Sequence, residues 1–127
     1  MNMGNIKKIY FIAFLYDFVL GVSILFFGTQ FLIFFGINLP NHFGYLNFAS
    51  ALVAIFGLMF YQIYKDPIKN INLIPFGIYF KITYVSIVLY YMIVDDIAMV
   101  WKVFAVFDLI FFILFYLSYR YMNKKQD

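Results

Sequence analysis

The run from Ile9 to Phe35, IYFIAFLYDFVLGVSILFFGTQFLIFF, decides the fold. Its only ionisable acid or base is Asp17, and it is longer than the about 20 mostly apolar residues that a helix needs to cross the hydrocarbon core of a bilayer. Lys7 and Lys8 precede it, and Gly36 follows, where tolerance of positive φ suits a helix C-terminus. Two lysines ahead of an apolar stretch imitate a secretory signal. The stretch is too long for one, contains Asp17 and lacks an Ala-x-Ala site, so a retained first helix is expected.

Three further runs of the same kind follow. The second extends from about Phe43 to Tyr64, after a loop containing Pro40, with Asn41 as the expected N-cap and Lys65-Asp66-Pro67 as its stop. The third extends from about Leu73 to Val94, with Pro75 in its first turn, where the missing N–H is no loss, and Asp95 and Asp96 close it. The fourth extends from about Ile97 to Tyr121; Asp95 and Asp96 are expected to complement its N-terminal dipole, and Arg120, Lys124 and Lys125 the other end. The chain thus reads as one all-α, polytopic domain over residues 1–127, a bundle of four transmembrane helices at about 9–35, 43–64, 73–94 and 97–121. A transmembrane barrel is excluded, because runs such as Leu109 to Phe115 show no alternation of apolar and polar residues.

Composition agrees. Of 127 residues, 66% are apolar and 12% charged, against about 45–50% and about 25% in soluble domains, which excludes a soluble globular enzyme. The absence of cysteine excludes disulfides, thiolate metal sites and cysteine nucleophiles. The net charge of +3 is not a nucleic-acid footprint, since the basic residues punctuate apolar runs instead of sharing a face. Lys7, Lys8, Lys65, Lys69, Arg120, Lys124 and Lys125 all flank one side, and Lys102 alone flanks the other, so the positive-inside rule places both termini in the cytoplasm. Tyr10, Tyr61, Tyr64, Tyr116, Tyr119 and Tyr121 are expected in the inner aromatic belt, and Tyr45, Tyr90, Tyr91 and Trp101 in the outer. A multi-pass protein of the bacterial inner membrane is expected.

Three ionisable residues lie inside the spans: Asp17, Lys81 and Asp108. An unpaired charge there costs about 2.5–3.5 kcal/mol on insertion scales, so the three are expected to meet inside the bundle. Their depths allow it. Helical spacing places Asp17 with Ala13, Gly21 and Gly28, Lys81 with Gly77, Tyr84 and Val88, and Asp108 with Trp101, Ala105 and Phe112. On the second helix Asn47, Ser50, Ala51, Ala54 and Gly57 form a small-residue packing stripe. Asn47 is a further candidate for the polar cluster, with an interhelical hydrogen bond or a cap as its simpler role. A lysine between two aspartates leaves one negative charge, so the cluster reads either as an ion-paired staple or as a site for a proton, cation or small ligand. Direct Asp–Lys contact in a packed bundle favours the first; a cavity of several hundred cubic ångströms lined by these groups favours the second. His42 stands alone in a loop, no phosphate-binding, zinc-protease or serine-hydrolase motif is present, and no metal or cofactor is expected.

With Asp17-Phe18-Val19-Leu20-Gly21, Asn47 and the stripe to Gly57, Lys81 and Phe107-Asp108-Leu109, residues 10 to 120 resemble the DoxX-like group of small four-helix bacterial membrane proteins. In that group an aspartate in the first helix, a basic residue opening the second and an aspartate in the fourth recur. Asp17 and Asp108 match; Asn47 stands where arginine is expected, and Lys81 is placed to supply the positive charge. The resemblance implies a non-catalytic small membrane component, an accessory subunit of a membrane complex such as the quinone-linked oxidoreductase with which DoxX is associated. Its partners would be the lipid bilayer and other membrane subunits or further copies of the chain. The alternative is a protein that binds or transports a proton, a cation or a small amphipathic ligand at the Asp–Lys–Asp cluster.

Overall fold

Backbone groups in hydrocarbon have no water to bond, so each apolar run satisfies its own N–H and C=O groups as a helix. The computed structural model describes residues 1–126 and shows four: α1 (Met3–Phe34), α2 (Gly44–Lys65), α3 (Ile74–Val94) and α4 (Met99–Gln126), with a 3-10 turn at Ile71–Leu73 leading into α3. All four are long and apolar enough to cross a membrane, so the chain is a multi-pass membrane protein. Large apolar side chains such as Phe26, Ile33, Phe34 and Ile93 cover its outside, a surface suited to lipid.

The helix ends show which local signals act. The Asn2 side chain accepts from the Asn5 N–H at 2.9 Å, so α1 starts well before the apolar run, at Met3. At its other end Gly36 has φ 69°, its N–H bonds to Ile33 O and that of Ile37 to Leu32 O, the paired bonds of a Schellman ending. Asn41 does not cap α2; Phe43 occupies that position with no side-chain bond, and the Gly44 N–H bonds to His42 Nδ1. Asp95 caps the C-terminus of α3, as expected of a residue that closes the third run, and α4 begins only at Met99. The carboxylate of Asp95 turns to the Asp96 N–H at 2.7 Å, and Asp96 reaches Lys102 only at 3.9 Å.

α1 and α2 pack closely as one hairpin, α3 and α4 as a second, and the two hairpins touch each other less. Small residues set the first contact: a Cβ on Gly21 would lie 2.5 Å from Ser50 O, and one on Gly57 would lie 2.7 Å from Phe18 N. α1 is kinked at Phe27 (φ −127°, ψ 33°), just before Gly28, which packs against Phe43 and Leu46. In the half of the bundle that holds the termini, Ile6, Tyr10, Ala13, Phe60, Ile63, Ile74, Phe111, Phe115 and Met122 form a continuous core.

Tyr10 belongs to this core and not to an interfacial belt. It is fully buried, stacks on Phe115 at 4.9 Å, and its hydroxyl lies 2.7 Å from Ser118 Oγ, which itself donates to Phe115 O. This bond crosses between the hairpins. Tyr10→Phe is expected to lower stability by about 0.5–1.5 kcal/mol, the net worth of one such bond, measured by denaturant unfolding in detergent.

Candidate functional site

One turn of helix separates Gly77 from Lys81, and the missing side chain at Gly77 admits the Phe60 ring, whose Cε1 would lie 2.7 Å from a Cβ there. Above that ring lies the Lys81 ammonium. It is wholly buried and donates to Asp17 Oδ2 at 2.7 Å and to Asp108 Oδ1 at 3.0 Å. Four rings surround it, with centroids at 5.1 Å for Phe80 and Phe111, 5.3 Å for Tyr16 and 5.8 Å for Phe60. Charge-assisted hydrogen bonds and aromatic faces together replace the water that the ammonium loses. The second oxygen of each carboxylate has no hydrogen-bond partner among the described residues, and two aspartates around one lysine leave one negative charge.

The spacing that placed Asp17, Lys81 and Asp108 on inward faces is matched by their burial, and the three come into direct contact. Asn47 stays apart. The α1–α2 register that sets Gly57 beside Phe18 and Gly21 beside Ser50 and Ala54 puts Asn47 about ten residues, or roughly 15 Å, from the level of Asp17. Its side chain makes no hydrogen bond to the trio, so the expectation that it joins the cluster is corrected. On α4 the buried position is Phe111, not Phe112.

Beyond the trio, away from the termini, lies a cavity of about 170 Å³. Asp17 and Asp108 form its polar floor. Leu20, Ile24, Leu46, Val53, Phe80 and Phe104 supply apolar wall, with Tyr16, Tyr84 and Trp101 among them. None of the core residues below the trio, such as Tyr10, Phe60 or Phe115, lines it, so the cavity ends at the ion pairs. Of its lining, Trp101 and Phe104 have ring centroids 6.1 Å apart, and the Phe31 ring lies 6.1 and 6.4 Å from theirs. The Tyr84 hydroxyl donates to Trp101 O at 3.0 Å, tying α3 to the first turn of α4. Trp101, in the first turn of α4, is half-buried and lines the cavity.

One residue of the lining is exposed. Ala49, Val53 and Phe56 share one face of α2 by their spacing, and Phe56 stacks on Phe80 of α3 at 4.2 Å. Two turns further along, Ala49 lines the cavity and yet is exposed. Ala49 is thus a point at which the cavity lining reaches the outer surface of the bundle.

Tyr16 was not singled out by sequence, although its place beside Asp17 was a usable signal. Its ring packs against Phe104, Phe107 and Phe111, and its hydroxyl oxygen is buried with no hydrogen-bond partner. Such an orphan costs about 1–3 kcal/mol.

Comparison with protein-family models, curated proteins and solved structures gives no match to this chain.

Proposed function

We propose that this chain is a small membrane protein that binds, without transforming, a small and mainly apolar molecule taken from the bilayer. The observation that carries the reading is the cavity: apolar walls from all four helices, a polar floor at Asp17 and Asp108, and a lining that reaches the outer surface of the bundle at Ala49. The direct Asp–Lys contacts meet the criterion for a staple, and the volume of about 170 Å³ is below several hundred cubic ångströms, so the trio is read as a staple that also floors a pocket near the about 150 Å³ that admits benzene. The floor supports binding over catalysis, because the Lys81 amine is committed to two carboxylates and offers no free nucleophile. The packed core beneath it supports a closed pocket over a through-channel.

The location in the proposal is the bacterial inner membrane, with the lysine-rich terminal end in the cytoplasm and the cavity in the outer half of the bilayer. Its support is that Lys7, Lys8, Lys65, Lys69, Arg120, Lys124 and Lys125 flank the end that carries both termini and the α2–α3 connection. A role as a non-catalytic subunit of a DoxX-like membrane complex fits the same pocket, with Asp17 and Asp108 as its support.

Ethylbenzene, a probe of suitable size, is expected to raise the melting temperature of the detergent-purified protein in proportion to its affinity. Val53→Phe, which fills the cavity from its wall, is expected to abolish that rise while leaving the unliganded fold intact. No rise for the wild type up to the solubility limit of the probe sinks the reading, as does an unchanged rise in the variant.

A further inference from the structure

The cavity is lined by charge of one sign. Among the described residues, Asp17 and Asp108 are the charged side chains that line it; Lys81, wholly buried, holds them from behind and is not part of the lining. Its ammonium takes Oδ2 of Asp17 and Oδ1 of Asp108. The other oxygen of each carboxylate has no hydrogen bond among the described residues, yet neither is a fully enclosed orphan as the Tyr16 hydroxyl is. Each therefore keeps some accessible surface, and the space that both residues line is the cavity. A group arriving at this floor meets two acceptor oxygens and a net charge of −1, with the compensating lysine on the far side of the carboxylates.

Ligand chemistries differ in what they meet there. A carboxylate or a phosphate is repelled. A purely apolar molecule strips water from both acceptors and replaces none of it. A hard metal ion needs about six oxygen ligands, and no group of His, Cys, Asp or Glu that could hold a metal occurs among the described residues. An ammonium brings three donors to the free oxygens and balances the charge. It also finds aromatic wall, since Tyr84, Trp101 and Phe104 line the cavity in addition to Tyr16 and Phe80, whose rings already face Lys81.

From this we infer that the pocket selects a small amphipathic amine in its protonated form, with its ammonium at the floor against Asp17 and Asp108, across the carboxylates from Lys81, and its apolar body along Leu20, Ile24 and Val53. The inference rests on the binding role proposed above and adds the charge and the functional group of the ligand. The lysine then has two tasks: it holds the carboxylates in place, and it leaves them one charge short of neutral.

Benzylamine, benzyl alcohol and ethylbenzene share a phenyl ring and differ in the group they bring to the floor. Each is titrated at neutral pH and fixed ionic strength against wild type and Asp108→Asn, with the rise in melting temperature as the readout and affinities referred to the aqueous concentration of the probe. Asparagine keeps an acceptor for Lys81 and makes the cluster neutral. Wild type is expected to bind benzylamine at least about tenfold more tightly than ethylbenzene, and Asp108→Asn to cut that advantage to about twofold or less. The ranking of the three probes on wild type decides the ligand class without recourse to the variant. Benzyl alcohol binding as tightly as benzylamine overturns charge as the basis of selection, and an advantage for benzylamine that survives Asp108→Asn in full overturns the role of the carboxylates. Ethylbenzene binding with no advantage for benzylamine overturns the inference while sparing the pocket. Failure of every probe to bind overturns both.

Discussion

Lys81→Met is expected to lower the unfolding free energy by about 3–5 kcal/mol, the largest effect of any single substitution within the cluster. The lysine is the only positive charge touching Asp17 and Asp108 among the described residues, and its removal leaves two buried carboxylates facing each other in a low-dielectric interior. Methionine fills similar space but cannot donate. Replacing Asp17, Lys81 and Asp108 together by leucine and methionine is expected to recover most of the loss, because an apolar trio of similar volume incurs no desolvation penalty. Unfolding by denaturant in a fixed detergent, followed by helical circular dichroism, gives both values. A single mutant as stable as the wild type, or a triple mutant no better than the single, would show that the ion pairs do not bear on stability as argued.

Gly21→Ala and Gly57→Ala come next, at about 1–3 kcal/mol each. In an ordinary helix interior, alanine for glycine is favourable by about 0.8–1 kcal/mol. Here the sign reverses because the new methyl meets backbone: Ser50 O and Ala54 N at 2.5 and 2.6 Å from position 21, Phe18 N at 2.7 Å from position 57. Backbone in a continuous helix cannot step aside as a side chain can, so α1 and α2 must move apart. Gly28→Ala is the control. Its nearest neighbour would be the Phe43 ring at 3.6 Å, ordinary van der Waals contact, and it is expected to be neutral or stabilising. The three measured side by side test the register of the hairpin, and destabilisation at position 28 equal to that at 21 would contradict it.

The four spans and the trio were legible in the sequence for one physical reason: hydrocarbon penalises polarity, so every polar residue within an apolar run carries information. Asp17, Lys81 and Asp108 stand out against phenylalanine and isoleucine, and helical spacing then sets their faces. Two kinds of feature escaped. Helix ends outside the hydrocarbon follow caps instead of hydropathy, so α1 runs back to Met3 on the Asn2 side chain, and α2 begins after Phe43 where Asn41 was expected to cap it. The second kind is empty space. The cavity is enclosed by side chains of all four helices, and how closely four helices approach one another is something that no single residue type announces. Tyr10 was misplaced for a related reason, because a tyrosine near a span end fits an interfacial belt and a core hydrogen bond equally well. Ser118, ten residues beyond Asp108 on the same face of α4, is the signal that separates the two.

The division into two hairpins also bears on how the chain enters the membrane as it is synthesised. Lys81 and Asp108 lie in the second hairpin and can neutralise each other as soon as α3 and α4 are inserted. Asp17 lies in the first, and its partner has not yet been translated when α1 and α2 reach the bilayer. For that interval the aspartate stands alone at a cost of about 2.5–3.5 kcal/mol, carried by the long apolar length of α1. Arrival of the second hairpin gives Asp17 its hydrogen bond to Lys81, so that contact favours docking of the two halves, and a nascent chain stopped after Lys65 would hold the aspartate without it.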